Sequence, residues 1–385
     1  MTLIIFLLLL SVLVIVHELG HFLAARLFKV KAEEFGVGFP PRIVGFVKEK
    51  SRWKKVNSKD ETSYKNTIWS FNWLPLGGFV RIKGEQENGI NDHDSIHSKP
   101  IWQRVIIISA GVIMNWLAAI LLFTGLYFFG INALYDTVPG PTANISDSTV
   151  VVTETLPDSP AAKAGLEIGD EIISINGTTY VMSDQVREAI QGFGENTFDL
   201  SIRREGEEKD LKVTPEFISE INRYGLGVGL ANSGRISFPL HLAFVNAVKT
   251  TYDLTKTIVF AFGGIIRDLF VDHRVAEDVS GPVGIAVIAG KIAKQGIAPF
   301  VQFAAVISVN LAVINFLPIP SLDGGRVVFL IYEKLRRRPV NRKLELSMNK
   351  IAFLILILLV ILVTARDVSR YGSIIMGGVK GLVGL

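Results

Sequence analysis

The sequence predicts an α-helical, multi-pass membrane protein with four spanning helices and one soluble β-rich domain between the second and third. Three observations carry this. Apolar residues make up 49% of the 385 positions and charged residues only 20%, with a mean hydropathy of +0.39, too apolar for a wholly water-facing surface. The apolar residues concentrate in four runs, at or extendable to the roughly 20 residues that cross a bilayer. Between two of these runs lies a charged stretch with strand and turn signals. The same composition excludes disorder, collagen-like repeats and coiled coil. The absence of cysteine excludes a disulfide framework, a thiol nucleophile and a cysteine zinc site.

The first span is placed at 1–27. Met1 to Val16 is apolar and leads into His17, Glu18 and His21, and the apolar character resumes from Phe22 to Ala25. A cleaved signal peptide is the competing reading, but no basic region precedes the run, and cleavage would discard the most chemically loaded residues of the chain. A basic loop, 28–103, follows. The second span, 104–130, lies in an uncharged run from Val105 to Tyr135, and the third, 299–320, in another from Gln295 to Leu322. The soluble domain is expected at 131–235 and a connector at 236–298. Phe238 to Leu269 is interrupted by Lys249, Asp253, Lys256, Arg267 and Asp268, which suits an amphipathic helix at the membrane surface better than a crossing one. A second loop at 321–350, a fourth span at 351–365 and a tail at 366–385, which yields no functional reading, finish the order.

Charge orients these elements. Residues 26–104 hold 15 Lys/Arg against 9 Asp/Glu and 321–350 hold 8 against 3, whereas 130–298 hold 14 against 22. Basic loops stay in the cytoplasm, so the first helix enters from outside, the N-terminus is outside, and the acidic section is extracytoplasmic. The net charge of +4 is then an orientation signal and requires no nucleic acid.

His17-Glu18-Leu19-Gly20-His21 is an H-E-x-x-H motif. On a helix, residues i and i+4 share a face, so two imidazoles can reach one zinc ion while the adjacent Glu acts on its bound water. The motif arises by chance in roughly one shuffled sequence in two hundred. The bland reading, two polar residues near a helix end, is expensive inside a span unless they face a cavity or an ion. A catalytic zinc takes three protein ligands, and His93, His97, His241 and His273 all lie outside the spans. Asp323 is the best third candidate. Pro318 and Pro320 block helix continuation and Gly324 and Gly325 permit a tight backbone there. An ordinary turn aspartate is the competing reading. Topology favours the ligand, because the first and third spans both run out to in, which places the His pair and Asp323 at the same membrane depth.

With these residues assembled, nearly the whole chain resembles the site-2 protease class of intramembrane zinc metalloproteases, in its bacterial regulator of sigma-E protease branch. The resemblance rests on the H-E-x-x-H at 17–21, on Asn315-Phe-Leu-Pro-Ile-Pro-Ser-Leu-Asp-Gly-Gly325, and on Leu74-Pro-Leu-Gly-Gly-Phe-Val-Arg-Ile-Lys-Gly-Glu85. Ala110-Gly-Val-Ile-Met-Asn115 and Gly281-Pro-Val-Gly284 add to it. Val112 stands where the family commonly has proline. The resemblance implies one zinc ion held by His17, His21 and Asp323, with Glu18 as general base. Asn115, Asn315, Gly77 and Gly78 would position substrate. It implies a β-hairpin over about 68–85 that dips toward the membrane and offers an edge to substrate drawn out as a strand. The substrates would be single-span membrane proteins such as trimmed anti-sigma factors, or remnant signal peptides, in a bacterial inner membrane. Two alternatives remain: a membrane adaptor with a structural zinc site, in which Glu18 would have no use, and an H-E-x-x-H membrane protease with a glutamate third ligand, for which no convincing glutamate exists.

The soluble section reads as strands at Val150 to Thr153, Glu171 to Ile175, Thr197 to Arg203 and Asp210 to Val213. A short helix from Ser159 ends at glycine, Asn176-Gly177 makes a turn, and Ser183 is expected to cap a helix to about Ile190. Ala164 to Gly177 resembles the core of a PDZ domain, in one copy. The resemblance implies either capture of a peptide or substrate ectodomain, or a gate that excludes bulky proteins. The expected fold class is thus an α-helical multi-pass membrane protein with a membrane-associated β-hairpin and one extracytoplasmic PDZ-like α+β domain.

Overall fold

A computed structural model describes residues 2–58, 60, 62, 64–85, 92–135, 142–204, 206–218, 223–271, 281–338 and 340–383. Among them, four helices are long and apolar enough to cross a membrane: Ile4–Leu27, Ile101–Phe129, Ile297–Phe316 and Lys343–Arg370. They fall within α1 (Thr2–Leu27), α2 (Ile101–Phe129), α7 (Ile297–Phe316) and α9 (Arg342–Val383). The fourth is longer than its uncharged stretch, because nothing breaks the helix at either flank and the polar residues continue it. The connector contains two helices, α5 (Leu240–Phe270) and α6 (Pro282–Lys294). Residues 272–280, including His273, lie outside the described ones. The 31-residue α5 is not among the four apolar helices, since its charges recur every few residues.

The chain divides into two compact units, residues 1–123 with 247–385, and residues 124–246. In the first, α1 lies against small residues. Ala286 and Ala289 of α6 pack on Phe6, and Ala304 of α7 packs on Leu9 and Leu13. A Cβ at Gly20 would collide with the carbonyl of Ala110, so glycine is what lets α1 and α2 touch along their backbones. The loop between α1 and α2 folds as a sheet in the order β2-β1-β3, from β1 (Ala32–Glu49), β2 (Arg52–Val56) and β3 (Ile68–Ile82).

This sheet corrects the hairpin expected at 68–85. The two apolar halves of that segment belong to one strand and pair with β1, so residues 34–37 of β1 align with both 68–71 and 78–81. The alternation of apolar residues is right, but the partner is supplied by a segment about 35 residues upstream. Within the sheet Glu34, only 2% exposed, takes a bidentate pair from Arg42 Nε and Nη2 at 2.8 and 2.6 Å.

The second unit holds a sheet in the order β4-β12-β5-β6-β8-β9, with β7 paired to β6, where β4 is Ile131–Tyr135, β5 Asn144–Thr155, β6 Glu171–Ile175, β7 Thr178–Thr179, β8 Phe198–Arg204, β9 Glu207–Val213 and β12 Val228–Ser237. β10 (Glu216–Ile218) and β11 (Arg223–Gly225) form a separate pair. Val150, Val152, Ile172, Ile175, Leu200 and Ile202 of the sheet close on Val186 and Ile190 of α4 (Ser183–Phe193) as one core. The expected short helix is α3 (Pro160–Ala164), capped by Ser159 Oγ and ended by Gly165 at φ 83°. Asn176 and Gly177 turn with φ of 47° and 78°, the paired positive values of a tight hairpin. Ser183 differs from expectation: it is the first helical residue, follows Met182 as N-cap, and gives its N–H to Asn232 Oδ1 at 2.6 Å.

Asp170, 1% exposed, is clamped by Arg204 Nε and Nη2, each at 2.7 Å, and by the Glu167 N–H at 2.9 Å. Burial pushes its pKa up, but the guanidinium and the N–H outweigh this and hold it below the ordinary carboxylate value. A lowered native pKa stabilises the fold above the unfolded value, and the contribution is lost as pH falls through the native one. Arg204→Ala should destabilise the 124–246 unit by roughly 3 kcal/mol, by leaving a buried charge unpaired. Amide exchange of β6 and β8 in the intact chain reads this out. In wild type, protection of those amides should fall between neutral pH and about pH 3, and Asp170→Asn should flatten that dependence.

Candidate metal centre

α1 carries His17 and His21 one turn apart, with ring centroids 4.9 Å from each other. α7 stops at Phe316, the chain turns through Pro318 and Pro320, and α8 (Asp323–Arg336) begins at Asp323. A Cβ at Gly324 would strike the carbonyls of Phe316 and Leu317, and one at Gly325 that of Ile319. These glycines therefore allow α8 to start directly against the end of α7, with Asp323 in its first turn. The result joins positions 306 residues apart. His17 Nε2 is 3.0 Å from Asp323 Oδ2, His21 Nε2 is 3.3 Å from the same oxygen, and the two Nε2 atoms are 3.2 Å apart.

These three are a group that could hold a metal ion. Bonds of about 2.0–2.1 Å in a tetrahedron place ligand atoms about 3.3 Å apart, so the observed triangle has the edge lengths a zinc ion needs. The back of the site also fits. Gly111 of α2 faces both rings, and a Cβ there would stand 2.5 Å from His17 Nε2 and closer still to His21 Nε2. Only glycine leaves room.

The far side of each ring is held. His21 Nδ1 lies 2.8 Å from the Ile107 carbonyl, an acceptor that takes the Nδ1 proton and leaves the Nε2 lone pair free to ligate. His17 Nδ1 lies 3.2 Å from Asn115 Nδ2, and the buried Oδ1 of the same carboxamide has no partner among the described residues. With that oxygen turned to the ring, Asn115 performs for His17 what Ile107 performs for His21. Ser308 of α7 donates to the Asn115 carbonyl at 2.8 Å and ties this turn of α2 to the third candidate span.

Glu18 lines the same cavity as the triad, of about 610 Å³, together with Phe79 and Val80 of β3. Its Oε2 accepts the Val80 N–H at 3.0 Å. Gly77 and Gly78 pack β3 onto α1 one turn earlier. Gly77, at φ 63°, gives its N–H to Ser11 Oγ at 3.0 Å, and a Cβ on Gly78 would press on Ile15. Asn315 is half-buried on the last turn of α7 and, among the described residues, makes no hydrogen bond to the triad. At the cavity's charged side, Glu333 of α8 pairs with Arg104 of α2 at 3.0 Å, and Arg326 pairs with Glu85. These pairs hold the helix that carries Asp323.

Gly111, Ile107 O and the Val80 N–H were given no role by sequence reasoning. Gly111 and Asn115 are one turn apart and so share a face of α2, which is a legible signal. Backbone partners leave none. Gly111→Ala should abolish zinc binding while leaving helix content unchanged. Asn115→Leu should weaken zinc affinity about 10- to 100-fold, as loss of a partner behind a ligating histidine does. Metal analysis of the purified protein after dialysis against graded chelator separates the two.

Comparison with known proteins agrees with this arrangement. The family model described as peptidase family M50 matches residues 5–359. A Rickettsia conorii protein named as a zinc metalloprotease is 30% identical over 96% of this chain and 98% of its own. The regulator of sigma-W protease RasP of Bacillus subtilis is 28% identical over 96% and 98%. Among solved structures, the PDZ domain of an SdrC-like protein from Listeria monocytogenes aligns with 23% of this chain and 92% of its own, at 22% identity and a TM-score of 0.21. With a family match over residues 5–359 that includes all three residues of the metal centre, the chain belongs to peptidase family M50 and is a zinc metalloprotease of the membrane.

Proposed function

We propose that the protein is an intramembrane endopeptidase of the site-2 type that cuts single-span membrane proteins within or beside their spanning helix. The observation that carries the reading is the convergence of His17, His21 and Asp323 beside Glu18 in one cavity between candidate spanning helices. His17, His21 and Asp323 would hold the zinc. When bound, it supplies a Lewis acid that polarises the scissile carbonyl and lowers the pKa of water.

The remaining work falls to the chain. Glu18, held through Oε2 by the Val80 N–H, takes a proton from the attacking water and returns it to the leaving amine. That single bond fixes the carboxylate in the cavity and leaves its second oxygen, among the described residues, for the proton. A helix must be opened before its peptide bonds can be reached, and the end of β3 lies beside the base. We place the unwound substrate along this strand by main-chain pairing, with Gly77 and Gly78 keeping β3 close to α1. Asn115 serves this scheme through His17, and Asn315, on the last turn of α7, is assigned to the substrate by family resemblance alone. A metal site for structure alone would not need the carboxylate held in this way, which disfavours an adaptor.

The charge distribution supports an N-terminus outside a bacterial inner membrane and an extracytoplasmic 124–246 unit. That unit would bind a substrate's exposed tail or exclude bulky ectodomains. Substrates of the anti-sigma factor or remnant signal-peptide kind fit the resemblance to RasP.

Glu18→Gln should retain one zinc and lower kcat by roughly 10²- to 10⁴-fold, the usual contribution of a general base. Asp323→Ala should lower zinc content and cleavage together. Both are read on purified protein in detergent, with a single-span substrate carrying a short external tail and with metal analysis in parallel. Cleavage that survives in Glu18→Gln would remove the base assignment.

A further inference from the structure

A second pocket lies away from the metal centre, at the end of α1 where the first candidate span stops. It measures about 450 Å³ and is lined by Arg26, Lys29, Lys31, Lys48 and Lys65, with Asp94 as its one acid. That volume falls within the about 300–1,000 Å³ of ordinary ligand sites. Asp94 is already engaged by Lys83, Nζ to Oδ1 at 2.7 Å, so it offsets little of the charge. Lys29, Lys48 and Lys65 are exposed and enter no ion pair among the described residues.

The concavity is built by the fold. α1 ends with Lys29 in the left-handed region at φ 56°, while the Val30 N–H closes back on the Ala25 carbonyl at 2.8 Å. The segment carrying Lys65 is fastened at two points: Thr67 Oγ1 donates to the Ala32 carbonyl at 2.8 Å, and Asn66 Nδ2 donates to the Lys48 carbonyl. Cations from the end of α1, the end of β1 and the loop before β3 are thus brought to one hollow. Like charges gathered round one pocket repel one another, and salt screens this less the closer they stand. Positive charge in loops accounts for their presence on this side of the membrane, but not for their convergence. An anion would relieve it.

The surroundings say which anion. Trp53 and Trp69 stand at the pocket, and Trp69 begins a row with Phe71 and Trp73 on one face of β3, exposed by 39%, 55% and 68%. Alternate residues of a strand share a face, so this is one continuous apolar surface. Leu23 and Leu27 continue the exposed apolar surface on α1. Tryptophans beside lysines at the end of a spanning helix mark the level where hydrocarbon meets headgroups. We infer that this pocket binds the phosphate headgroup of an anionic phospholipid, with the acyl chains against the Trp69, Phe71 and Trp73 face. The site is separate from the metal centre and does not depend on the assignments there.

The test uses the full-length, zinc-loaded protein in detergent, with phosphatidylglycerol and phosphatidylcholine added in turn and bound lipid counted by native mass spectrometry. Wild type should retain one phosphatidylglycerol in preference to phosphatidylcholine. Lys29→Gln/Lys48→Gln/Lys65→Gln should weaken this roughly 100-fold, and each single change about fivefold, as expected for adjacent cations at a lipid headgroup. Lys334→Gln/Arg337→Gln/Arg338→Gln, which removes equal charge from the end of α8, should bind as wild type. Zinc content and helix content report folding of each variant, and the single changes serve if the triple does not fold. Equal loss in both triple variants would overturn the pocket in favour of diffuse attraction. Undiminished binding in the Lys29, Lys48 and Lys65 set would overturn it outright. Displacement of the lipid by inorganic phosphate at matching concentration would overturn the lipid assignment and leave a free anion as the ligand.

Discussion

Two imidazoles and a carboxylate placed among apolar helices are costly unless they are paired, and the rest of the helical unit is arranged around that constraint. Partners are aimed at both rings and at Glu18. The Ile107 carbonyl and the Asn115 carboxamide stand behind the two rings, Val80 holds Glu18, and the three remaining ligand atoms face one another at zinc spacing. Buried polar groups are affordable only when paired, so the partners are as much a part of the centre as the ligands. They also fix its chemistry, because an Nδ1 proton committed to an acceptor leaves Nε2 to the metal.

Small residues make those distances possible. Gly20 against Ala110 sets the approach of α1 to α2, Gly111 clears the space in front of the rings, and Gly324 and Gly325 let α8 begin where α7 ends. None of these contributes a functional group. Their effect is to let backbones come close enough for a short aspartate on one helix to meet histidines on another. The ion pairs Arg104–Glu333 and Arg326–Glu85 then hold α8 at its outer turns, so the carboxylate is positioned by a helix braced along its length.

The β-sheet between α1 and α2 joins an exposed aromatic face to the cavity of the metal centre. One part of β3 presents a row of aromatic side chains to the surroundings, and another gives its N–H to Glu18. A single strand therefore carries both the exposed aromatic row and the N–H that holds Glu18. The basic hollow at the end of α1 shares Trp69 with this strand.

Much of this was open to reading in the residues alone. Long apolar runs, the i, i+4 histidines and the Pro/Gly context of Asp323 are local patterns, and local patterns survive translation into structure because helical period and bilayer thickness are constants. The strands and turns of the 124–246 unit were legible for the same reason, down to the turn at Asn176-Gly177. What only the tertiary structure decided is pairing between distant segments. The partner of residues 68–82 is β1 and not its own second half, since a strand's hydrogen bonds are made by backbone that carries no sequence label. Ser183 looked like a cap but donates its N–H to Asn232, 49 residues away. The roles of Gly111, Ile107 and Val80 stayed hidden because an absent side chain and a main-chain atom acquire a function only from what the fold brings against them.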